Sequence, residues 1–487
     1  MNGMSENLNT KVINATKWSA ITEFAAKLIS PLSTIILARI LSPDAFGVLV
    51  TATMIISFAE IFTDAGFQKY IIQHAFNDDE SLNKAATVAF WSNLGLAILL
   101  WILICIFSPQ IAKLVGSEGY GLVIAISSIC LPLGAISSIQ MAILKRNLNF
   151  KSLFYVRIIG IFIPLVVTIP LALITHSYWS LIIGMIALNV SNAVFLTIHS
   201  AWRPKIWYDF QLLKDMLNFT IWTVVESITI WLTGYIDIFI VGTTLSTHYM
   251  GVYRTGITLV GAVLAIITNT TTSVLFSALS SLQNDEEQFK KLFFNFQKMV
   301  AMLILPMGVG IYLFRDFITK VALGNQWHDA SYLIGLWALT STITIIYSHY
   351  CSEVFRSKGK PQLSALAQSL HLLFLIPTII ISVKYGFESL CLWRSLARFS
   401  MVAIVLALVY PLVHITFLQM TRNISHTLIA TGVMWCIFLL LPPPAKEWIT
   451  VLNILICAMV YLLVLFCFKQ ERDLFVNLIK KNIKLSK

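Results

Sequence analysis

The sequence is expected to form an all-α polytopic membrane protein of about fourteen spanning helices, arranged as two six-helix lobes and two further helices. Three observations carry this. Hydrophobic stretches of about 20 residues or more fill nearly the whole sequence, and the polar segments between them are too short to fold alone. Composition agrees, with 57% of the 487 residues hydrophobic, 12% charged and a mean hydropathy of +0.81. The third observation is an internal repeat with offsets of 204 to 211 residues.

The spans begin near residues 18, 46, 85, 120, 153, 177, 213, 252, 292, 329, 362, 388, 424 and 447. The first reads as a span rather than a cleaved leader. It is too long, it carries Glu23 and Lys27, and no small-residue cleavage site follows it. All seven cysteines fall inside expected spans without metal-ligand spacing, so they read as small core hydrophobes and no metal site is expected.

The net charge of +11 is better explained by topology than by nucleic acid, because the basic residues are distributed by loop rather than gathered in one patch. With the N-terminus cytoplasmic, cytoplasmic loops and tails hold most of the 34 lysines and arginines, among them Lys145, Arg146, Arg203, Lys290, Lys291, Arg356, Lys480 and Lys481. The opposite loops hold only Arg39, Lys113, Arg254, Arg315, Lys320, Lys384 and Lys446. Both ends are therefore expected inside.

Leu41-Ser42-Pro43-Asp44-Ala45-Phe46-Gly47-Val48 recurs as Leu245-Ser246-Thr247-His248-Tyr249-Met250-Gly251-Val252, at the same point between two spans. Asn77 to Glu80 then matches Asn284 to Glu287, Phe107 and Lys113 match Phe314 and Lys320, and the basic loop at Lys145-Arg146 matches Arg356. Ordered matches at nearly constant offset indicate a duplicated unit of six helices. Six is even, so both copies insert the same way up. The expected lobes are 1–208 and 209–420, related by a pseudo-two-fold axis along the membrane normal, with 421–487 appended as two helices and a basic tail.

Leu37-Ala38-Arg39-Ile40-Leu41-Ser42-Pro43-Asp44-Ala45-Phe46-Gly47, followed one span later by Thr63-Asp64-Ala65-Gly66-Phe67, resembles the N-terminal signature of the polysaccharide-transport branch of the multidrug/oligosaccharidyl-lipid/polysaccharide flippase superfamily. Within that branch the sequence is similar to Wzx-type O-antigen and colanic-acid exporters. The resemblance implies translocation of undecaprenyl-pyrophosphate-linked oligosaccharides across a bacterial inner membrane. The implied partners are that lipid-linked oligosaccharide, the bilayer, and polysaccharide polymerase or assembly proteins; no cofactor and no nucleic acid is implied.

Ionisable residues inside the spans are the informative ones, because charge at the bilayer centre costs about 2.5 to 3.5 kcal/mol on insertion scales. On the first helix Thr16, Ser19, Glu23, Lys27, Ser30 and Thr34 make a polar stripe expected to face a cavity, with Glu23 and Lys27 placed to pair. Thr53, Ser57, Glu60 and Asp64 repeat the pattern on the second helix, and Thr223, Glu226, Thr233 and Asp237 on the seventh. Buried carboxylates can exchange protons near neutral pH, so Asp64, Glu60, Glu23, Glu226 and Asp237 are the candidate ion-coupling residues. Each also has a plain structural reading as a carboxylate hydrogen-bonded by a neighbouring helix. Arg394 and Arg398, one turn apart in the twelfth helix, are with Lys27 the candidate substrate-binding residues, and pairing of the two arginines with Glu226 or Asp237 is their plain structural reading. Thr268 to Ser273 is a weaker candidate for sugar contact. His371 reads as a core histidine, and Trp202, Trp207, Tyr208 and Trp448 as interface anchors.

There is no Walker motif, no HExxH and no loop large enough for a catalytic domain, which favours a secondary transporter over an enzyme. Two alternatives stay open. A multidrug/cation antiporter shares the two-lobed plan but calls for an acidic cavity, and a polysaccharide polymerase or ligase usually carries a long outer loop.

Overall fold

The computed structural model describes Trp18, Ala26 and residues 29–64, 66–360, 362–443 and 446–472. Every regular element among them is helical. Packing divides the chain into two compact units, Met1–Arg254 and Thr255–Lys487.

The first unit runs through α1 (Ile29–Ile40), α2 (Pro43–Asp64), α3 (Phe67–Gln73), α4 (Asp79–Leu114), α5 (Gly121–Ser127), α6 (Cys130–Arg146), α7 (Phe150–Ile163), α8 (Ile169–Thr175), α9 (Trp179–His199) and α10 (Phe210–Thr244). It closes with the opening turns of α11 (Thr247–Ser281). The second unit takes in the rest of α11, then α12 (Glu286–Leu313), α13 (Arg315–Ala322), α14 (Ala330–Thr344), α15 (Cys351–Ser357), α16 (Gln362–Ser382), α17 (Phe387–Val413), α18 (Phe417–Asn423), α19 (Ser425–Leu440) and α20 (Glu447–Cys467).

Among the described residues, twelve helical stretches are long and apolar enough to cross a membrane, and the bent pair α18 and α19 supplies a thirteenth. Helix α1 stands where the second half of the first expected span lies, so each expected span has a helix. Some spans are made of two segments: α7 continues into α8 through a π turn at Pro164–Thr168, where the proline lacks the N–H that a regular turn would use.

In the first unit α2 packs against α4, α5, α6, α9 and α10. The seam is built from Ile56 and Ala59, Ala97 and Ile104, and Leu131 and Ala135, and small residues among larger ones let helices approach closely where lipid offers no hydrophobic drive to pack. Leu99, Ile102, Leu103 and Ile106 of α4 instead face outward, as a lipid-contacting surface requires. At the basic end, Arg146 donates to the carbonyls of Ile71 and His74, both at 2.8 Å, and lies over the Phe76 ring. It thereby satisfies orphan carbonyls at the end of α3. Trp202 departs from its expected place at a membrane interface: it is buried, packing edge-on against Phe90.

The acidic runs of the repeat do more than solvate loops. Asp78 accepts a hydrogen bond from the Ser81 N–H at 2.7 Å and caps α4; Asp285 accepts from the Gln288 N–H at 3.0 Å and caps α12.

The two signature copies meet each other. A Cβ on Gly47 would sit 1.9 Å from the Thr247 carbonyl oxygen, and one on Gly251 would sit 2.0 Å from the Pro43 carbonyl oxygen. Only glycine permits that approach. His248 Nδ1 lies 3.1 Å from the Asp44 carboxylate, and Ser117 binds Thr51 at 2.8 Å and Thr247 at 3.4 Å beside them. The contact is reciprocal, position for position, between repeats.

In the second unit α14 packs on α12 and α17, α16 on α17, and α19 on α12 and α20. Met302, Met434, Cys457 and Tyr461 fill the last of these seams, where the Tyr461 hydroxyl donates to the Met302 carbonyl at 2.6 Å.

Candidate functional site

The second half of α2 carries Ser57, Glu60 and Asp64 at helical spacing, and these line a cavity of about 340 Å³ with Asn93 of α4, Ser138 of α6 and Ser227 of α10. The Asp64 carboxylate accepts a hydrogen bond from the Ser138 hydroxyl at 3.2 Å, and Gln68 adds side-chain and backbone hydrogen bonds to it. Ser57 is committed: its hydroxyl donates to the Met54 carbonyl at 2.9 Å and accepts from the Trp231 indole at 3.0 Å. Glu60 and Asp64 are thus brought together as the sequence suggests. Asn93 and Ser138 were not singled out by sequence reasoning, although an amide and a hydroxyl inside apolar helices are visible there.

Asp237 sits elsewhere. It is buried and accepts from the Tyr253 hydroxyl at 2.8 Å and from the Ile238 N–H at 2.9 Å. Glu23 and Lys27 lie outside the described residues. Glu226 falls on α10 next to Ser227, and its side chain too lies outside the described set.

In the second unit Arg394 and Arg398 project from α17 toward α14. Their guanidinium carbons lie 4.9 and 4.2 Å from the centre of the Trp337 indole, and the Arg398 Nε donates to the Thr344 hydroxyl at 3.5 Å. Arg394 is buried. His371 of α16 is a buried histidine bonded to Ser400 at 2.9 Å, as expected of a core residue. Trp337 carried no sequence signal beyond being one tryptophan in an apolar helix.

The Thr268 to Ser273 run also acquires partners. Thr271 bonds the Tyr350 hydroxyl at 2.8 Å, and Thr272 bonds His349 Nε2 at 3.2 Å. A cavity of about 360 Å³ opens there between Asn269, Thr272, His349, Glu353 and Arg356, with Glu353 and Arg356 paired at 3.0 Å. By the repeat, the hydroxyl-to-histidine pair replaces the carboxylate-to-hydroxyl pair of Asp64 and Ser138.

Fold and polar interior together define a multi-pass helical membrane protein whose spanning helices carry buried charge. The chain belongs to the polysaccharide biosynthesis protein family, whose profile matches residues 36–332. It is 22% identical over 341 residues to the succinoglycan biosynthesis transport protein ExoT of Rhizobium meliloti, covering 70% of this chain and 68% of that one. With the lipopolysaccharide biosynthesis protein WzxC of Escherichia coli it shares 20% identity over 381 residues, 77% of this chain and 76% of that one. Among solved structures it superposes on the lipid II flippase MurJ in an inward closed conformation with a TM-score of 0.75 at 16% identity, covering 94% and 99% of the two chains. An inward-facing multidrug resistance transporter of the MATE family superposes with a TM-score of 0.57 at 15% identity, covering 83% and 98%. At these identities the structural matches establish the fold.

Proposed function

We propose that this protein is a flippase that moves an undecaprenyl-pyrophosphate-linked oligosaccharide from the cytoplasmic to the periplasmic leaflet of a bacterial inner membrane by alternating access, with both termini cytoplasmic. It performs no covalent chemistry in this reading. The relatives named for succinoglycan transport and lipopolysaccharide biosynthesis support the substrate class, and the fold shared with a lipid II flippase supports the mode of action.

The observation that carries the reading is the arginine pair on Trp337. A guanidinium stacks through its face and binds phosphate bidentately through its N–H edge, so the two contacts are compatible. Arg394 and Arg398, joined by Lys27, bind the diphosphate of the lipid carrier. Asp64 and Glu60 couple its movement to an ion, with Glu23, Glu226 and Asp237 as further coupling residues. The moving bodies are lobes 1–208 and 209–420, with 421–487 appended.

Arg398→Lys keeps the charge but loses the planar fork, and is expected to weaken transport severalfold. Arg398→Ala is expected to reduce it about a hundredfold or more at unchanged membrane level, about 3 kcal/mol at tenfold per 1.4 kcal/mol. Transport unaffected by either change overturns the assignment; loss of the protein from the membrane makes the pair structural.

A further inference from the structure

Asn269, Thr272 and Phe276 line the second-unit cavity from α11, three and four residues apart and so on one face of that helix. His349, Glu353 and Arg356 line it from the other side. His349 ends a π turn, Ile345–His349, of a kind frequent where a helix serves a function. The Thr272 hydroxyl has one proton, which it gives to the Thr268 carbonyl at 2.6 Å, so at 3.2 Å it accepts from His349 Nε2. Nδ1 is thereby left as an acceptor. Asn269 is exposed and brings an amide that both donates and accepts. Arg356 gives one N–H group to the Glu353 carboxylate at 3.0 Å, and with its side chain 55% exposed it has others to offer.

These groups select the ligand by its chemistry. Glu353 already neutralises Arg356, and a carboxylate and an imidazole lone pair both repel an anion, so a diphosphate, which only accepts, is poorly matched. A metal cation meets the Arg356 charge where it needs a second carboxylate. Hydroxyl groups donate and accept, and Phe276, 40% exposed, presents a ring whose electron-rich face suits the C–H face of a sugar. We propose that this cavity binds one uncharged pyranose residue of the lipid-linked oligosaccharide, through the Asn269 amide, His349 Nδ1, the Arg356 guanidinium and the Phe276 ring. Its volume of about 360 Å³ is at the small end of ligand pockets, which run from about 300 to 1,000 Å³, and suits a single ring rather than a whole repeat unit. This rests on the flippase reading above, to which it adds a sugar subsite made of residues other than the arginine pair.

The test is saturation-transfer difference NMR on the purified full-length protein in nanodiscs. The uncharged probes are the methyl glycosides of glucose, galactose, mannose, rhamnose and N-acetylglucosamine; the charged ones are methyl glucuronide and inorganic pyrophosphate. Saturable transfer to at least one uncharged glycoside is expected, strongest at its ring C–H protons. Asn269→Ala and Phe276→Ala should each weaken binding about tenfold, the size of one net hydrogen bond, and Phe276→Trp, which keeps a ring, should retain it. Ser281→Ala, on the same helix but outside the cavity, removes a hydroxyl that donates to the Ala278 carbonyl; it is expected to bind as the unaltered protein does. No saturable transfer to any uncharged glycoside, binding indifferent to Asn269 and Phe276, or a preference for glucuronide or pyrophosphate overturns the site. Glycoside binding that both alanine variants weaken, in a protein whose deletion leaves every surface polysaccharide intact, keeps the site and overturns the flippase reading instead.

Discussion

Two guanidinium groups one helical turn apart share the indole of Trp337, and magnitudes show why the indole is not the whole explanation. Each charge costs about 2.5 to 3.5 kcal/mol at the bilayer centre, while a desolvated cation–π contact returns about 2 kcal/mol. Trp337→Leu is therefore expected to destabilise the second unit, lowering the melting temperature of the purified protein, and to reduce diphosphate binding by misplacing both arginines. A melting temperature equal to that of the unaltered protein contradicts this. Asp64→Asn is isosteric and removes only the charge. Transport should lose most of its dependence on the ion gradient while the protein still inserts, and unchanged dependence returns Asp64 to a structural role held by Ser138. The arginines and the two acids stood out in the sequence because a charge among apolar residues is conspicuous. Asn93 and Trp337 did not, since what makes them matter is an oxygen with no hydrogen-bond partner and one indole 4.9 and 4.2 Å from two guanidinium carbons, and both exist only once helices distant in sequence pack.

Helix α2 shows what the sequence discloses of an element and what it withholds. Its apolar length announces a span, and its polar residues at helical spacing announce a face. That its first turns lie against the first turns of α11 is written in the repeat only as similarity, not as contact. Gly47 and Gly251 make the contact possible, so Gly47→Val and Gly251→Val should each destabilise the protein by about 1 to 3 kcal/mol through overpacking. The double variant should cost less than the sum, since each change already parts the same two backbones. Additive losses in melting experiments contradict a shared contact. At the start of α4, Asp78 lies outside the spans, and the Ser81 N–H hydrogen bond holds its carboxyl below the ordinary carboxylate range. Its contribution is then fully present above that ordinary value and disappears as pH falls through the lowered one. Asp78→Asn should keep the cap and remove this pH dependence, which unfolding followed between pH 2 and 5 measures; a dependence that persists places it on another group. The capping role of the acidic runs is not legible in composition, because a cap is defined by the one N–H that the carboxylate accepts from.

Across the whole molecule, the hydropathy pattern carried the architecture almost intact, because bilayer thickness dictates helix length. The order of helices was legible for the same reason. Packing partners were not: α10 follows the first six spans in sequence yet lies on α2, α3 and α4, a choice made by side-chain fit rather than by periodicity. The basic residues are expected to place the segment after α20 in the cytoplasm. A reporter active only in the cytoplasm, fused after Arg472, should be active, and activity of a periplasm-specific reporter at that position contradicts the topology. Flipping of a lipid-linked oligosaccharide by this chain is tested in a deletion strain without a second flippase gene. The measurement is the amount of lipid-linked repeat unit that a membrane-impermeant glycan-binding protein reaches on spheroplasts, before and after lysis. Repeat units reached only after lysis are expected, together with loss of one surface polysaccharide, both restored by the intact gene but not by Arg398→Ala. Repeat units exposed on intact spheroplasts, with the polysaccharide unchanged, would contradict it.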